Sequence, residues 1–105
     1  MIILQDEKGN EYRLEFNRKT VVAMEDNGFV LNMDAPNSMI DKLFYGAFQM
    51  HHKRIDRELV RKIWDQQRGK EQLLTELVKL YQKPLEDLMA EPDGDEDENP
   101  TWKAI

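Results

Sequence analysis

The chain has 105 residues, of which 40% are hydrophobic and 34% are charged. This length fits one domain with a single modest core, and the hydrophobic content is too high for a fully disordered protein. The chain contains no cysteine, which excludes disulfide bonds, cysteine nucleophiles and thiolate metal sites. No apolar run approaches the ~20 residues of a membrane helix. We therefore expect a cytoplasmic protein that does not bind membranes.

The net charge of −6 is concentrated at the C-terminus. Residues 1–90 carry 14 basic against 15 acidic side chains, whereas residues 91–105 carry six acidic side chains against Lys103 alone. A polar segment with this density of like charge cannot offset its ordering entropy. The sequence therefore predicts a single domain over residues 1–90 and a flexible acidic tail over residues 91–105.

The N-terminal residues have the pattern of a β-hairpin. Two short β-favouring runs, residues 1–4 and 11–16, flank Gly9 and Asn10, which can both take the positive φ angles of a tight turn. Because an isolated hairpin is marginal in water, its apolar face must be covered by the helices that follow. Asn17 is placed to N-cap a first helix over 18–26, and Gly28 is placed to end it.

The middle of the chain predicts a core helix. Residues 29–33 form either a third strand or an apolar loop, and both interpretations remain open. Asn37 or Ser38 can then cap a helix that runs to His51. Gly46 inside this helix suggests the close approach of a neighbouring backbone. The face expected to point into the core consists of apolar residues at helical spacing: Ile40, Leu43, Phe44, Ala47 and Phe48.

Two further helices complete the predicted domain. Asp56 can cap a helix from Arg57 to about residue 67, and a long apolar stripe predicts a last helix over 70–89, which Pro84 should kink or end. The predicted fold class is α+β, with an N-terminal β-hairpin packed on a bundle of three to four helices and a disordered acidic C-terminal tail.

The apolar face of the last helix is broader than one neighbour requires. It is either all core, or its outer part is an exposed patch for a partner protein or a second copy of the chain. The candidate partner-binding residues are Leu80, Leu85, Leu88, Met89 and, beyond the acidic spacer, Trp102.

The residues that could carry chemistry are few. His51 and His52 are adjacent, so on a helix they point about 100° apart and cannot bind one metal ion together. We interpret His51 as a half-buried residue at a helix end. No phosphate-binding loop, nucleophile motif or pair of catalytic carboxylates is recognisable. We therefore expect a protein that is not an enzyme and that has no metal and no cofactor.

The basic residues between 53 and 70 suggest a nucleic-acid-binding corner between two helices. Acidic residues at helical spacing interrupt this group: Glu58 precedes Arg61 and Lys62, and Asp65 precedes Arg68. We therefore favour a solvated face whose charges pair with one another. A small regulatory nucleic-acid-binding protein remains the alternative.

The order of the motifs resembles a known family. A hairpin ends in Leu-x-Phe-Asn at Asn17, a short helix ends in Gly28-Phe29, and two further motifs follow, Met50-His-His-Lys53 and Ile55-Asp-Arg-Glu-Leu-Val60. Over about residues 12–66 the chain is similar to the small tail assembly chaperones of long-tailed bacteriophages and to related prophage proteins of Gram-positive bacteria.

This resemblance implies a non-enzymatic protein that binds the tape measure protein. It would keep that long helical partner soluble until tail tube subunits polymerise around it. The tape measure protein, and with it the tail tube protein, are the partners that the resemblance implies.

The acidic tail is expected to add solubility and little stability. Deletion of residues 91–105 should leave the thermal unfolding midpoint nearly unchanged, because a solvated segment contributes little to the core. Thermal unfolding followed by circular dichroism would measure this. A large loss of stability would instead mean that Trp102 or Ile105 docks on the domain.

Overall fold

A computed structural model describes residues 1–92 and 101–105 of the protein. These residues form an α+β fold, as expected, with two strands and four helices. Tail residues 93–100, for which we predicted disorder, lie outside the described residues, and residues 101–105 are exposed and lack secondary structure. In chain order the elements are β1 Ile2–Gln5, β2 Glu11–Leu14, α1 Arg18–Asp26, α2 Pro36–Phe48, α3 Arg57–Gln66 and α4 Lys70–Met89.

The predicted hairpin is present, and an aspartate organises its turn. β1 and β2 pair antiparallel, and the Oδ1 atom of Asp6 accepts the backbone N–H groups of Lys8 and Asn10, each at 2.9 Å. Gly9 has a φ of 81°, whereas Asn10 does not have the positive φ that we predicted. The hydrogen bonds to the side chain of Asp6 therefore stabilise the turn, for which we had predicted a second residue with a positive φ.

The outer edge of β2 is bonded to the C-terminal end of α2. The N–H of Glu15 donates to the carbonyl of Ala47 at 3.0 Å, and the N–H of Arg13 donates to Nε2 of His52 at 3.0 Å. Phe48 is fully buried and meets the ring of Tyr12 edge-on, with 5.6 Å between centroids. Helix α2 thus covers the hairpin, and Ala47 of α2 together with His52 of the turn after it supplies acceptors for the hairpin's free edge.

Both ends of α1 follow the prediction. Asn17 and Thr20 form a reciprocal capping box, in which each side chain accepts the other residue's backbone N–H at 2.8 Å. At the other end, Gly28 has a φ of 90°. The N–H groups of Gly28 and Phe29 donate to the carbonyls of Glu25 and Met24 in a Schellman arrangement.

Helix α2 differs from the prediction at both ends. It begins at Pro36 and not at residue 38, and its N-cap, Ala35, makes no side-chain cap. A proline suits the first helical position because its fixed φ fits the helix and it has no N–H that needs an acceptor, and Asn37 and Ser38 therefore lie inside the helix and do not cap it. It ends at Phe48 and not at His51, because the N–H groups of Gln49 and His51 donate to carbonyls three residues back, those of Gly46 and Phe48, and not four residues back. Residues 29–33 form a loop and no strand.

Gly46 does allow a close approach, but by a side chain. A Cβ atom at Gly46 would lie 2.6 Å from Sδ of Met24 and 3.4 Å from a ring carbon of Phe16. The missing side chain therefore lets α1 pack against α2 through Met24, and not through its backbone as we had expected.

Helices α3 and α4 have nearly the predicted bounds. Asp56 is the N-cap of α3 but makes no side-chain cap bond, and Gly69, with a φ of 68°, separates the two helices. Helix α4 continues through the buried Pro84 to Met89, so of the two outcomes that we expected, a kink or an end of the helix, the second was wrong.

One core joins the hairpin to all four helices. The buried hydrophobic residues are Leu4, Leu14, Phe16, Phe29, Met39, Leu43, Phe44, Ala47, Phe48, Val60, Ile63, Leu77 and Tyr81.

Among the described residues, no helix combines the length and the apolarity that crossing a membrane requires.

Phe48 is the residue whose truncation should cost most at the contact between hairpin and helix. Phe48→Ala should lower the free energy of unfolding by about 3–5 kcal/mol, since it leaves a cavity in a closed core. Val22→Ala, at a position 46% exposed, is the control and should change stability by less than about 0.5 kcal/mol. Urea unfolding would measure both. Equal effects would contradict the burial described above.

Candidate functional site

The apolar stripe of α4 extends beyond the core. Leu77 and Tyr81 are buried, whereas Leu85 is 60% exposed, Leu88 is 51% exposed and Met89 is 72% exposed. These last three residues stand at i, i+3 and i+4 and therefore share one face of the helix; we call them the terminal patch.

Two of the predicted partner-binding residues do not belong to this patch. Leu80 is partly buried and packs against the core, so we had assigned it to the exposed surface wrongly. Trp102 is 81% exposed and belongs to the terminal segment without secondary structure. Of the five predicted partner-binding residues, Leu80 thus packs against the core, three form the terminal patch, and Trp102 lies in the C-terminal segment.

The histidine pair has specific partners that the sequence did not reveal. Nε2 of His51 lies 2.8 Å from a carboxylate oxygen of Glu15, although we had recognised no carboxylate partner for it. His51 also lies beyond the end of α2 and not on the helix. Nε2 of His52 accepts the Arg13 N–H, which requires a neutral ring with its hydrogen on Nδ1. Burial, aided by the charges of His51 and Arg13, lowers the pKa of His52.

The basic corner is less self-paired than the sequence suggested. Arg61 bonds to Asp41 at 2.9 Å and to Glu58 at 2.8 Å, and Lys70 donates to the backbone carbonyls of Asp65 and Gln67. The other basic residues of the corner form no ion pair with any residue that the structure describes. These are Lys53, Arg54, Arg57, Lys62 and Arg68.

A groove of about 610 Å³ runs between α1 and α2; we call it the α1–α2 groove. Arg57 lies over the ring of Tyr45, with 4.2 Å from Cζ to the ring centroid. Sequence reasoning missed this groove, and the only signal for it was the glycine at position 46. The residues that line it are Thr20, Ala23, Met24, Asn27, Phe29, Lys42, Tyr45, Gly46, Gln49 and Arg57.

We found no metal-binding arrangement in the part of the chain that the structure describes. Within residues 1–92 and 101–105, no three His, Asp or Glu side chains come together as the ligands of one ion would. What the geometry offers is two binding surfaces, the apolar terminal patch and the cationic α1–α2 groove.

The hydrogen bond to His52 makes stability depend on pH. The imidazole has a pKa of 6.5 in the unfolded chain and a lower pKa in the folded protein. Between these values the unfolded state binds more protons, so the contribution of this bond is complete above about pH 7 and is lost as the pH falls below 6.5. We expect a loss of about 0.5–1.5 kcal/mol, the usual value of one hydrogen bond.

Urea unfolding of wild type and His52→Gln at about pH 7.5 and about pH 5 would measure this effect. The amide oxygen of Gln can accept the Arg13 N–H at both pH values, so the variant should lose less stability on acidification. His51→Gln is the comparison variant: it removes the neighbouring ring and its contact with Glu15 but leaves the bond to Arg13 in place, so it should remain more acid-sensitive than His52→Gln. An acid sensitivity of His52→Gln equal to that of wild type would refute the assignment.

The comparisons with known proteins identify a family but no function. No curated protein and no solved structure matches the chain. One family model, described as a domain of unknown function (DUF5055), matches residues 1–105. Because the match covers the whole sequence, the chain belongs to the DUF5055 family.

Proposed function

We propose that this protein is a non-enzymatic tail assembly chaperone of a long-tailed bacteriophage or prophage, acting in the cytoplasm of the host bacterium. Its main partner is the tape measure protein, which it keeps soluble while the tail tube assembles, and the tail tube protein is a further partner. The sequence resemblance over residues 12–66 supports this proposal. The observation that carries it in the structure is the terminal patch, an apolar helix face that the core does not cover.

The terminal patch has the form of a helix-binding surface. Three large apolar side chains at i, i+3 and i+4 can pack against the apolar face of a partner helix, as in helix-in-groove recognition. The partner that the resemblance implies, the tape measure protein, is long, helical and hydrophobic, and so it would offer such a face. Covering that face removes apolar surface from water, which would favour binding by roughly 25 cal/mol per Å².

Charges around the patch would limit it to transient binding. Lys83 and Asp87 form an exposed ion pair at 2.7 Å on the same helical segment, and the acidic tail begins directly after α4. Like charges on neighbouring tails oppose aggregation of the complex. The bound partner would therefore stay soluble and could still be released when the tail tube forms.

Nucleic-acid binding by the basic corner is the second candidate. Five of its basic side chains, including Lys53 and Arg54, have no ion-pair partner among the described residues. Phosphate binding would predict an affinity that falls steeply with salt. A gel shift at low salt with wild type and with Lys53→Ala/Arg54→Ala tests it. No retardation of DNA or RNA by wild type would exclude this function.

Replacement of the patch should abolish chaperone activity without unfolding the protein. We expect Leu85→Ser/Leu88→Ser/Met89→Ser to lose the ability to raise the soluble yield of the co-expressed tape measure protein. Because all three side chains are exposed, the thermal midpoint should change little.

The matched control is Val30→Ser/Met33→Ser. These two apolar side chains are 69% and 70% exposed, but they lie in the loop before α2. This control should support the same yield of tape measure protein as wild type. The proposal fails if wild type does not raise the yield, and the patch assignment fails if both variants lose activity to the same degree.

A further inference from the structure

The α1–α2 groove combines two positive charges with an apolar floor. None of the residues that line it, all in the described part of the chain, is Asp or Glu. Lys42 and Arg57 form no ion pair within residues 1–92 and 101–105. Because the lining supplies no carboxylate to these two cations, the groove favours a ligand that brings its own carboxylates.

The floor of the groove restricts the ligand further. Met24 and Phe29 offer a thioether and an aromatic ring, and Arg57 already lies over the ring of Tyr45. Sulfur and guanidinium groups both interact favourably with aromatic rings. A peptide with an aromatic residue near several carboxylates therefore fits the groove, because the ring can contact the floor while the carboxylates pair with the two cations.

The C-terminal segment of this protein has that composition. Residues 91–105 carry six acidic side chains, followed by Trp102. Trp102 is 81% exposed, and Ile105, the last residue, is fully exposed. In the single chain these side chains therefore do not cover the apolar floor between α1 and α2.

The C-terminal segment follows an exposed helix end. Leu85, Leu88 and Met89 are each more than half exposed, and residues 91–105 continue the chain directly after this part of α4. We propose that the α1–α2 groove binds the C-terminal segment of a second copy of this chain. Trp102 inserts beside Tyr45, and the acidic side chains pair with Lys42 and Arg57.

The contact that results is heterologous. Each copy offers one groove and one segment, so contacts of this kind build a head-to-tail series and not a closed pair of identical patches. This inference goes beyond the proposed chaperone function and does not rest on it, because it uses the groove and Trp102 and not the terminal patch.

A mixing experiment with full-length chains tests the contact. Trp102→Ala disables the segment and leaves the groove intact, and Lys42→Glu/Arg57→Glu disables the groove and leaves the segment intact. Sedimentation velocity from about 10 μM to about 500 μM should show association of wild type and no association of either variant alone. An equal mixture of the two variants should form dimers and nothing larger.

The matched control reverses two other cations that have no ion pair in the described part of the chain. Lys62→Glu/Arg68→Glu has the same change in net charge and should associate like wild type. A synthetic peptide of residues 91–105 should bind this control and wild type with affinities within about twofold, and bind Lys42→Glu/Arg57→Glu about tenfold more weakly. Circular dichroism and urea unfolding confirm that each variant is folded, and Lys42→Glu replaces the double variant if the latter is not.

Several outcomes would overturn the proposal. A wild-type chain that stays monomeric at about 500 μM excludes the contact. So does association of either variant alone, which would indicate a self-complementary interface, or a mixture of the variants that stays monomeric. If a labelled DNA duplex binds the groove and the peptide does not, the ligand is a nucleic acid. Higher salt should weaken the peptide complex because screening reduces its charge pairing.

Discussion

The fold depends on how α2 completes a hairpin that could not stand alone. A two-stranded sheet has one apolar face to cover and two free edges, and in water it is marginal at best. The C-terminal end of α2 and the turn after it meet both needs on the β2 side, since Phe48 covers the face while Ala47 and His52 accept N–H groups from the edge. Any change that moves the end of α2 therefore moves the hairpin with it.

This junction determines where the other elements can pack. With the C-terminal end of α2 committed to the hairpin, its remaining apolar face accepts α3 and α4. Phe44 contacts both Phe48 and Trp64 edge-on, while Tyr81 lies between Phe16 and Phe29. Pro84 is the last buried residue of α4, and residues 85–89 of the helix are all exposed. The terminal patch is thus a consequence of helix length: α4 is longer than the body that it packs against.

Features encoded by neighbouring residues could be predicted from the sequence. The bounds of α1 depend on Asn17 and Gly28, and the start of α4 depends on Gly69. Each of these signals acts within a few residues, so chemistry and spacing were sufficient. The α+β class followed from such local signals together with the apolar periodicities.

Features that depend on distant residues could not be predicted. His52 accepts the N–H of Arg13, which is 39 residues away in the chain, and His51 meets a carboxylate 36 residues earlier in the chain. The α1–α2 groove depends on how far apart two helices pack, and periodicity does not report that distance. Leu80 was assigned to the exposed surface for the same reason, because the apolar pattern of α4 does not show how far the neighbouring elements extend along the helix.

Pro84 gives α4 a property that its continuous outline hides. A proline has no N–H, so the carbonyl of Leu80 loses its helical donor, and the ladder of hydrogen bonds is interrupted where the core ends. The proline thereby divides the helix into a long inner part before residue 84, which Leu77 and Tyr81 hold in the core, and a short outer part, residues 85–89, which can open by itself. Local unfolding of this outer part requires far less free energy than unfolding of the domain. The backbone amide hydrogens of Leu88 and Met89 should therefore exchange with solvent faster than those of the core. The patch can also adapt its shape to a partner while the core stays intact.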